Sequence, residues 1–151
     1  GTAFGTQTHE FAERYVLEGD VEPSNDDERH IKSFIDSLDG ELRVEEDAYL
    51  PLAVDGEQVT ISGIVDLVHL RPDTVEIIDF KTDLGRHAED EYRKQLSVYD
   101  HVLNEWFSGR EVTAGIFYTA QGVRVDIDPL SKADLVALIS QEQRSEASVL
   151  E

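Results

Sequence analysis

The sequence predicts an α/β chain (α+β mixed) with a central mixed β-sheet flanked by helices, in the order α-α-β-β-β-α-β-β-α. Three observations carry this. Apolar residues recur with helical spacing near both ends and once in the middle, and with strand-like patterning between. Two turn signals, Asp55-Gly56 and Pro72-Asp73, separate three consecutive strand-like runs and make them antiparallel neighbours. A long helical pattern then lies between the third and fourth runs, and a helical crossover of that kind brings the next strand in parallel.

The first helix is expected over 5–18, capped by Thr6 or Thr8, with Phe11, Ala12, Tyr15 and Val16 as its apolar stripe and Gly19 as its stop. Asp20 to Asn25 is a loop broken by Pro23 and Ser24, and a second helix over about 26–38 gathers Ile31, Phe34, Ile35 and Leu38 on one side. Leu42 to Leu50 reads as a strand ended by Pro51. In the next strand Val59, Ile61, Gly63, Val65 and Leu67 line one face, and Ile64, Asp66 and Val68 the other. Val75 to Phe80, a short apolar run, suits a central strand. Tyr92, Leu96, Tyr99, Val102, Leu103 and Trp106 mark a helix over roughly 89–108, closed by Gly109. Val112 to Tyr118 and Val123 to Ile127 are strands joined around Gln121-Gly122, and Ser131 caps a last helix that turns Leu135, Leu138 and Ile139 inward. There is no internal repeat and no low-complexity segment.

At 151 residues the chain has the size of one domain with one core. It begins at Gly1 and contains no methionine, so it is expected to be a single domain, 1–151, cut from a longer protein, with Leu150-Glu151 either native or a cloning remnant. No run approaches the length of a membrane span, and the first residues lack the pattern of a signal peptide. Without cysteine there is no disulfide, no thiolate nucleophile or zinc site, and no cysteine-held iron–sulfur cluster. A cytoplasmic location and no membrane partner are expected.

Acidic residues outnumber basic ones 33 to 13, for a formal net charge of -20, and only Lys32, Lys81, Lys94 and Lys132 are lysines. At face value this opposes nucleic-acid binding, which needs positive charge against phosphate. The acidic residues are dispersed, however, as in proteins adapted to high salt. At molar salt the Debye length falls to about 3 Å and long-range repulsion from DNA is screened. A halophilic source accounts for the balance, and an acidic subunit relying on a basic partner is the other explanation.

Asp66 lies on one predicted strand, and Asp79-Phe80-Lys81 on the next. A buried carboxylate is costly unless paired or bound to a metal. Two hard oxygen ligands on a rigid sheet suit Mg²⁺ or Mn²⁺. Residues two apart on a strand project from one face, so Lys81 stands beside Asp79, where an ammonium can orient or deprotonate a nucleophile or stabilise charge on a phosphoryl group. Spacing alone also allows a plain alternative, with Asp66 at a strand bend and Asp79 and Lys81 as a surface ion pair.

Four segments in order, GTAFGTQTHEF, GIVDLV, IIDFKTD and YRKQLSVY, resemble the RecB-type nuclease domain of the PD-(D/E)XK superfamily. Such domains have a restriction-endonuclease-like core and typically sit at the C-terminus of RecB/AddA-like helicase–nucleases that process DNA ends. The resemblance runs from Gly1 to about Tyr118, and the last helix is less diagnostic. It implies a Mg²⁺- or Mn²⁺-dependent deoxyribonuclease leaving 5′-phosphate and 3′-hydroxyl ends, attached to a helicase motor and active in recombinational repair. By position it makes His9, Asp66 and Asp79 metal ligands, with the Phe80 backbone carbonyl a further candidate, and Lys81 the catalytic lysine followed by Thr82. Cluster-bearing relatives carry four cysteines, so this chain falls in the cluster-free branch. No GxxxxGK[ST] element is present, so no ATP site is expected within these residues.

Gln95 and Tyr99 match the family's Q-x-x-x-Y element and, four apart, share a helix face that would support the site or touch the substrate backbone. Tyr92 continues that face, or is a plain core aromatic. Glu45 or Glu46 falls where relatives carry an acidic residue, and spacing does not choose between them; solvated surface is the competing assignment. Arg86, His87, Arg93 and Lys94 are the densest basic group, placed to meet a DNA backbone or merely to balance charge. The rival to an exonuclease is a catalytically inactive, nuclease-like DNA-binding or scaffold domain; an acidic interaction module without nucleic-acid function is the remaining class.

Overall fold

The computed structural model describes residues 2–150; Gly1 and Glu151, which bear on the expected fragment boundaries, lie outside them. The elements are α1 (Thr2–Glu18), α2 (Asp26–Asp36), β1 (Glu41–Val54), β2 (Glu57–Leu70), β3 (Thr74–Lys81), α3 (Glu89–Trp106), β4 (Glu111–Tyr118), β5 (Val123–Ile127) and α4 (Lys132–Leu150). This is the predicted order. The five strands form one sheet in the sequence β1-β2-β3-β4-β5, antiparallel except for the parallel β3–β4 pair made by the α3 crossover.

Two cores lie on the two faces of the sheet. The larger joins Leu50, Val65, Ile77 and Ile116 to Leu96, Tyr99 and Leu103 of α3 and Leu135 and Ile139 of α4. The smaller joins Leu67, Ile78, Phe80 and Phe117 to Phe11 and Ala12 of α1 and Ile31 and Ile35 of α2. There Phe34 meets Phe117 edge-on, with ring centroids 4.6 Å apart. No helix among the described residues is long and apolar enough to cross a membrane.

Several boundaries differ from the sequence expectation. Helix α1 begins at Thr2, so Thr6 and Thr8 lie inside it; Thr8 is buried and its hydroxyl donates backwards to the Phe4 carbonyl at 2.8 Å. Helix α2 ends at Asp36 and is capped by Asn25, which accepts from the Glu28 amide. Strand β1 continues through Pro51, paired with Thr60. It is an edge strand, where a residue without an N–H is tolerated on the unpaired side. Helix α3 ends at Trp106, whose ring is half exposed rather than inward. Ser131 does cap α4, accepting from the Asp134 amide.

The largest departure concerns the faces of β2. Val65 packs in the core under α3, whereas Leu67 packs in the core under α1 and α2, and Val68 and Leu70 return to the first. The alternation therefore shifts by one residue at Asp66. Strand β1 shifts beside it: Leu42 and Val44 pack on the α1 side, Ala48 and Leu50 on the α3 side. Register pairs Val44 with Leu67 and Glu46 with Val65, leaving Glu45 opposite Asp66 without a ladder bond and with φ 52°. A non-glycine residue there is strained. The β2–β3 ladder also stops at Leu67–Ile78, one step before Asp66 would face Asp79. The sheet thus opens where the two aspartates lie.

Candidate metal centre

Three elements converge at this opening. Helix α1 supplies His9, β2 supplies Asp66, and β3 supplies Asp79 and Lys81. His9, Asp66 and Asp79 each present one ligand atom, all within 4.8 Å of one another, a group able to hold a metal ion. His9 Nδ1 lies 2.7 Å from the Gly5 carbonyl one turn back, to which it donates, and Nε2 faces Asp66 Oδ2 at 3.0 Å. That backbone bond fixes the ring so that Nε2 points into the centre. Asp66 Oδ2 also accepts the Phe80 amide at 2.9 Å, a side-chain bond standing where the β2–β3 ladder has ended.

Asp79 is buried, and Lys81 Nζ lies 2.8 Å from its Oδ2. The ammonium lies off the hydrogen-bond directions, so Oδ2 is a buried carboxylate oxygen with no hydrogen-bond donor. An oxygen in that condition fits a cation. Two carboxylates and an imidazole, with Asp79 Oδ2 met only by the Lys81 ammonium, fit a divalent ion that takes oxygen and nitrogen donors.

The electrostatics agree. Burial pushes the Asp79 carboxyl above the usual carboxylate range, and the charge of Asp66 adds to this, while Lys81 opposes it. Burial acts on Asp66 in the same sense, but hydrogen bonds from His9, Asp79 and the Phe80 amide outweigh it and hold Asp66 below the ordinary value. His9 is raised to about 9, chiefly by its hydrogen bond to Asp66 and against the effect of its own burial.

Lys81 is held from three sides. Besides Asp79, its Nζ donates to Gln95 Oε1 at 3.3 Å and stands 4.2 Å from the centroid of the Tyr92 ring. Gln95 Nε2 donates to the Tyr99 hydroxyl at 2.8 Å, and the Tyr92 hydroxyl donates to Asp83 at 2.7 Å. The three residues form one connected face of α3 under the lysine. Tyr99 fits because residue 63 is glycine: a Cβ there would lie 2.7 Å from its hydroxyl oxygen. Sequence reasoning did not mark Gly63 as part of this site; the glycine inside an apolar strand was the available signal.

Glu45 lines an open cavity of about 700 Å³ with His9, Glu10, Glu13, Ile64 and Asp66. Its carboxyl is raised by partial desolvation first and then by Asp66. Glu46 is not among the cavity's lining residues, so Glu45 is the one placed at the centre. Thr82 lies beside α1, 3.7 Å from where a Cβ on Gly5 would be. The basic residues form no joint patch. Arg86 pairs with Glu89, Arg93 donates to the Asp128 carbonyl, and Lys94 pairs with Glu142 of α4. His87 is exposed near Gly85. Phe80 meets the centre through its N–H, which donates to Asp66.

The family model for the PD-(D/E)XK nuclease superfamily matches residues 7–149. The chain belongs to this superfamily. Among solved structures, the crystal structure of SSO0001 is similar at 20% identity and a TM-score of 0.49, covering 65% of this chain and 47% of that one. The chain therefore spans about half the length of that protein. No curated protein matches the sequence. The His9, Asp66 and Asp79 cluster is consistent with membership of a nuclease superfamily.

Proposed function

We propose that this domain is a Mg²⁺- or Mn²⁺-dependent deoxyribonuclease of the RecB type, an exonuclease in DNA end processing that works attached to a helicase motor. The observation that carries the reading is the meeting of three ligand atoms within 4.8 Å, with the Lys81 ammonium 2.8 Å from the Asp79 carboxylate. His9, Asp66 and Asp79 would hold the ion. When bound, it supplies Lewis-acid polarisation of the phosphoryl group and activation of water at neutral pH.

The protein's own groups do the rest. The Gly5 carbonyl keeps His9 Nε2 free for the ion, and the Phe80 amide keeps Asp66 turned inward. Lys81 exchanges its place against Asp79 for the attacked phosphate, donating to a non-bridging oxygen as charge builds there. Gln95 and Tyr92 hold the ammonium in that position at little reorganisation cost. A net charge of -20 makes productive binding of DNA depend on high salt or on a basic partner, which suits a domain fed by a motor.

The test is cleavage of end-labelled single- and double-stranded DNA at high salt with Mn²⁺ or Mg²⁺, comparing wild type with Lys81→Ala and Asp79→Ala. Metal-dependent cutting from the ends, lost in both variants, is the expected result. Metal binding without cutting, in the domain alone and in its parent chain, would instead make it a non-catalytic member of the superfamily.

A further inference from the structure

Lys81 of β3 is paired in parallel register with Tyr118 of β4, and Tyr118 with Val123 of β5. Directly opposed residues point to the same face, so these side chains form a row leading from the metal centre to the far edge of the sheet. Beyond Tyr118 the row opens into a cavity of about 420 Å³ lined by Leu84, Arg86, Tyr118, Gln121, Val123 and Val125. That volume lies in the range of small-ligand sites, roughly 300–1,000 Å³.

Its walls combine exposed apolar side chains with a buried phenol. Leu84 is 82% exposed and Val123 49%, placing two apolar side chains in water on either side of the opening. Tyr118 is only 2% exposed, yet its hydroxyl has no hydrogen-bond partner among the described residues. Arg86 stands within reach of that hydroxyl, close enough to act on it by charge and by hydrogen bonding, though outside ideal hydrogen-bond geometry. Buried hydroxyls are rarely left unsatisfied, and each exception calls for an explanation. The Gln121 amide donates to the Leu84 carbonyl at 2.9 Å, which holds the two loops at the rim together.

We propose that this cavity is a nucleobase subsite that takes one base of the DNA strand being cut, a reading that rests on the nuclease function above. An apolar slot with one buried hydroxyl and a cation at its rim matches a nucleotide in parts. The base lies between Leu84 and Val123, the Tyr118 hydroxyl donates to a ring nitrogen or carbonyl of the base, and Arg86 leaves Glu89 to meet the adjoining phosphate. A base seated there fixes the register of the strand, because the next phosphate along is carried towards Lys81. A phenol donor serves any base that offers an acceptor, so the subsite positions the strand without reading its sequence.

The test uses single-stranded oligonucleotides carrying one 4-thiothymidine, moved one position at a time. They are bound to the domain at high salt with Ca²⁺ to suppress cutting, and then irradiated. One position is expected to give an adduct mapping to Leu84 or to the Tyr118–Val125 segment, reduced at least tenfold in Val123→Asp. An abasic residue at that position is expected to raise KM roughly tenfold in Mg²⁺ with little change in kcat, the scale of losing one base contact. Tyr118→Phe, which removes only the hydroxyl and opens no void, is expected to keep the melting temperature and to raise KM alone. Adducts confined to other segments, or an adduct indifferent to Val123→Asp, would overturn the subsite while metal-dependent cutting still stands. Absence of cutting by the domain and by its parent chain, alongside the predicted adduct, would sink the nuclease reading and leave the base site in place. Failure of every oligonucleotide to bind, to the domain and to its parent chain alike, would overturn both.

Discussion

Asp66 Oδ2 accepts the backbone N–H of Phe80 at 2.9 Å, so the first aspartate is held by the strand that carries the second. This explains how two carboxylates come to lie side by side in a buried place, where burial and then the Asp66 charge raise Asp79 while hydrogen bonds hold Asp66 low against its own burial.

Asp66→Asn separates the two roles. The amide oxygen still accepts the Phe80 N–H, but the charge that binds a cation and repels Asp79 is gone. Divalent-ion affinity by calorimetry should fall at least tenfold. Above about pH 9, where the His9–Asp66 pair no longer contributes, the metal-free melting temperature should hold or rise by roughly 2–4 °C, the equivalent of about 1 kcal/mol in a domain of this size. A large fall in the metal-free melting temperature at that pH would show that Asp66 is chiefly structural.

The pH dependence follows from His9. Its folded value, about 9, is raised above the unfolded one of 6.5. The stability it contributes is fully present below about pH 6.5 and is lost as pH rises through about 9. Asp79, also raised, acts in the same direction, because its charged form is disfavoured in the fold. The melting temperature in chelator should therefore decline across that window. Metal affinity should climb over the same range, by up to about tenfold per pH unit for each proton displaced. A flat affinity profile would remove His9 from the ligand set.

Gly63→Ala tests the packing beneath the lysine. The new methyl would meet the Tyr99 ring and hydroxyl at 2.7–2.8 Å, and overpacking of this kind costs about 1–3 kcal/mol. Since Tyr99 holds Gln95, and Gln95 holds Lys81, cleavage should fall along with stability. Gly85→Ala, which meets only a flexible His87 atom at 3.4 Å, should leave the melting temperature nearly unchanged.

Gln95→Ala should lower kcat roughly tenfold, the effect of loosening a group that must be aimed, and leave metal affinity within twofold of wild type. An equal loss of metal affinity would mean that Gln95 supports the ligands rather than the lysine.

The sequence shows the centre well and the surroundings unevenly. Asp66, Asp79 and Lys81 stand on strands whose apolar neighbours announce them, whereas His9 and the Gln95–Tyr99 pair come only from the resemblance to a known family. The shift of faces at Asp66 is hidden, because the run Val65-Asp66-Leu67-Val68 offers apolar residues in both phases. Nothing about a glutamate at position 45 announces a left-handed backbone. Pro51 looks like a strand end because edge position, which excuses it, is a property of the whole sheet. Arg93 and Lys94 look like an open basic patch because their partners, Asp128 and Glu142, lie more than thirty residues further on.

The shift of faces at Asp66 also divides the molecule. On one side of it, the β1–β2 hairpin from 46 to 65 is an arm anchored only to the larger core, against α3 and α4. On the other, residues 67–70 belong to the centre of the sheet, with both cores upon them. His9, Asp66 and Asp79 draw one ligand from α1, one from the joint and one from the central strand. A cation bound there is a rivet across a seam, so amide exchange in the arm should slow together with that of β3 when the ion is added, and the two should open separately when it is withdrawn.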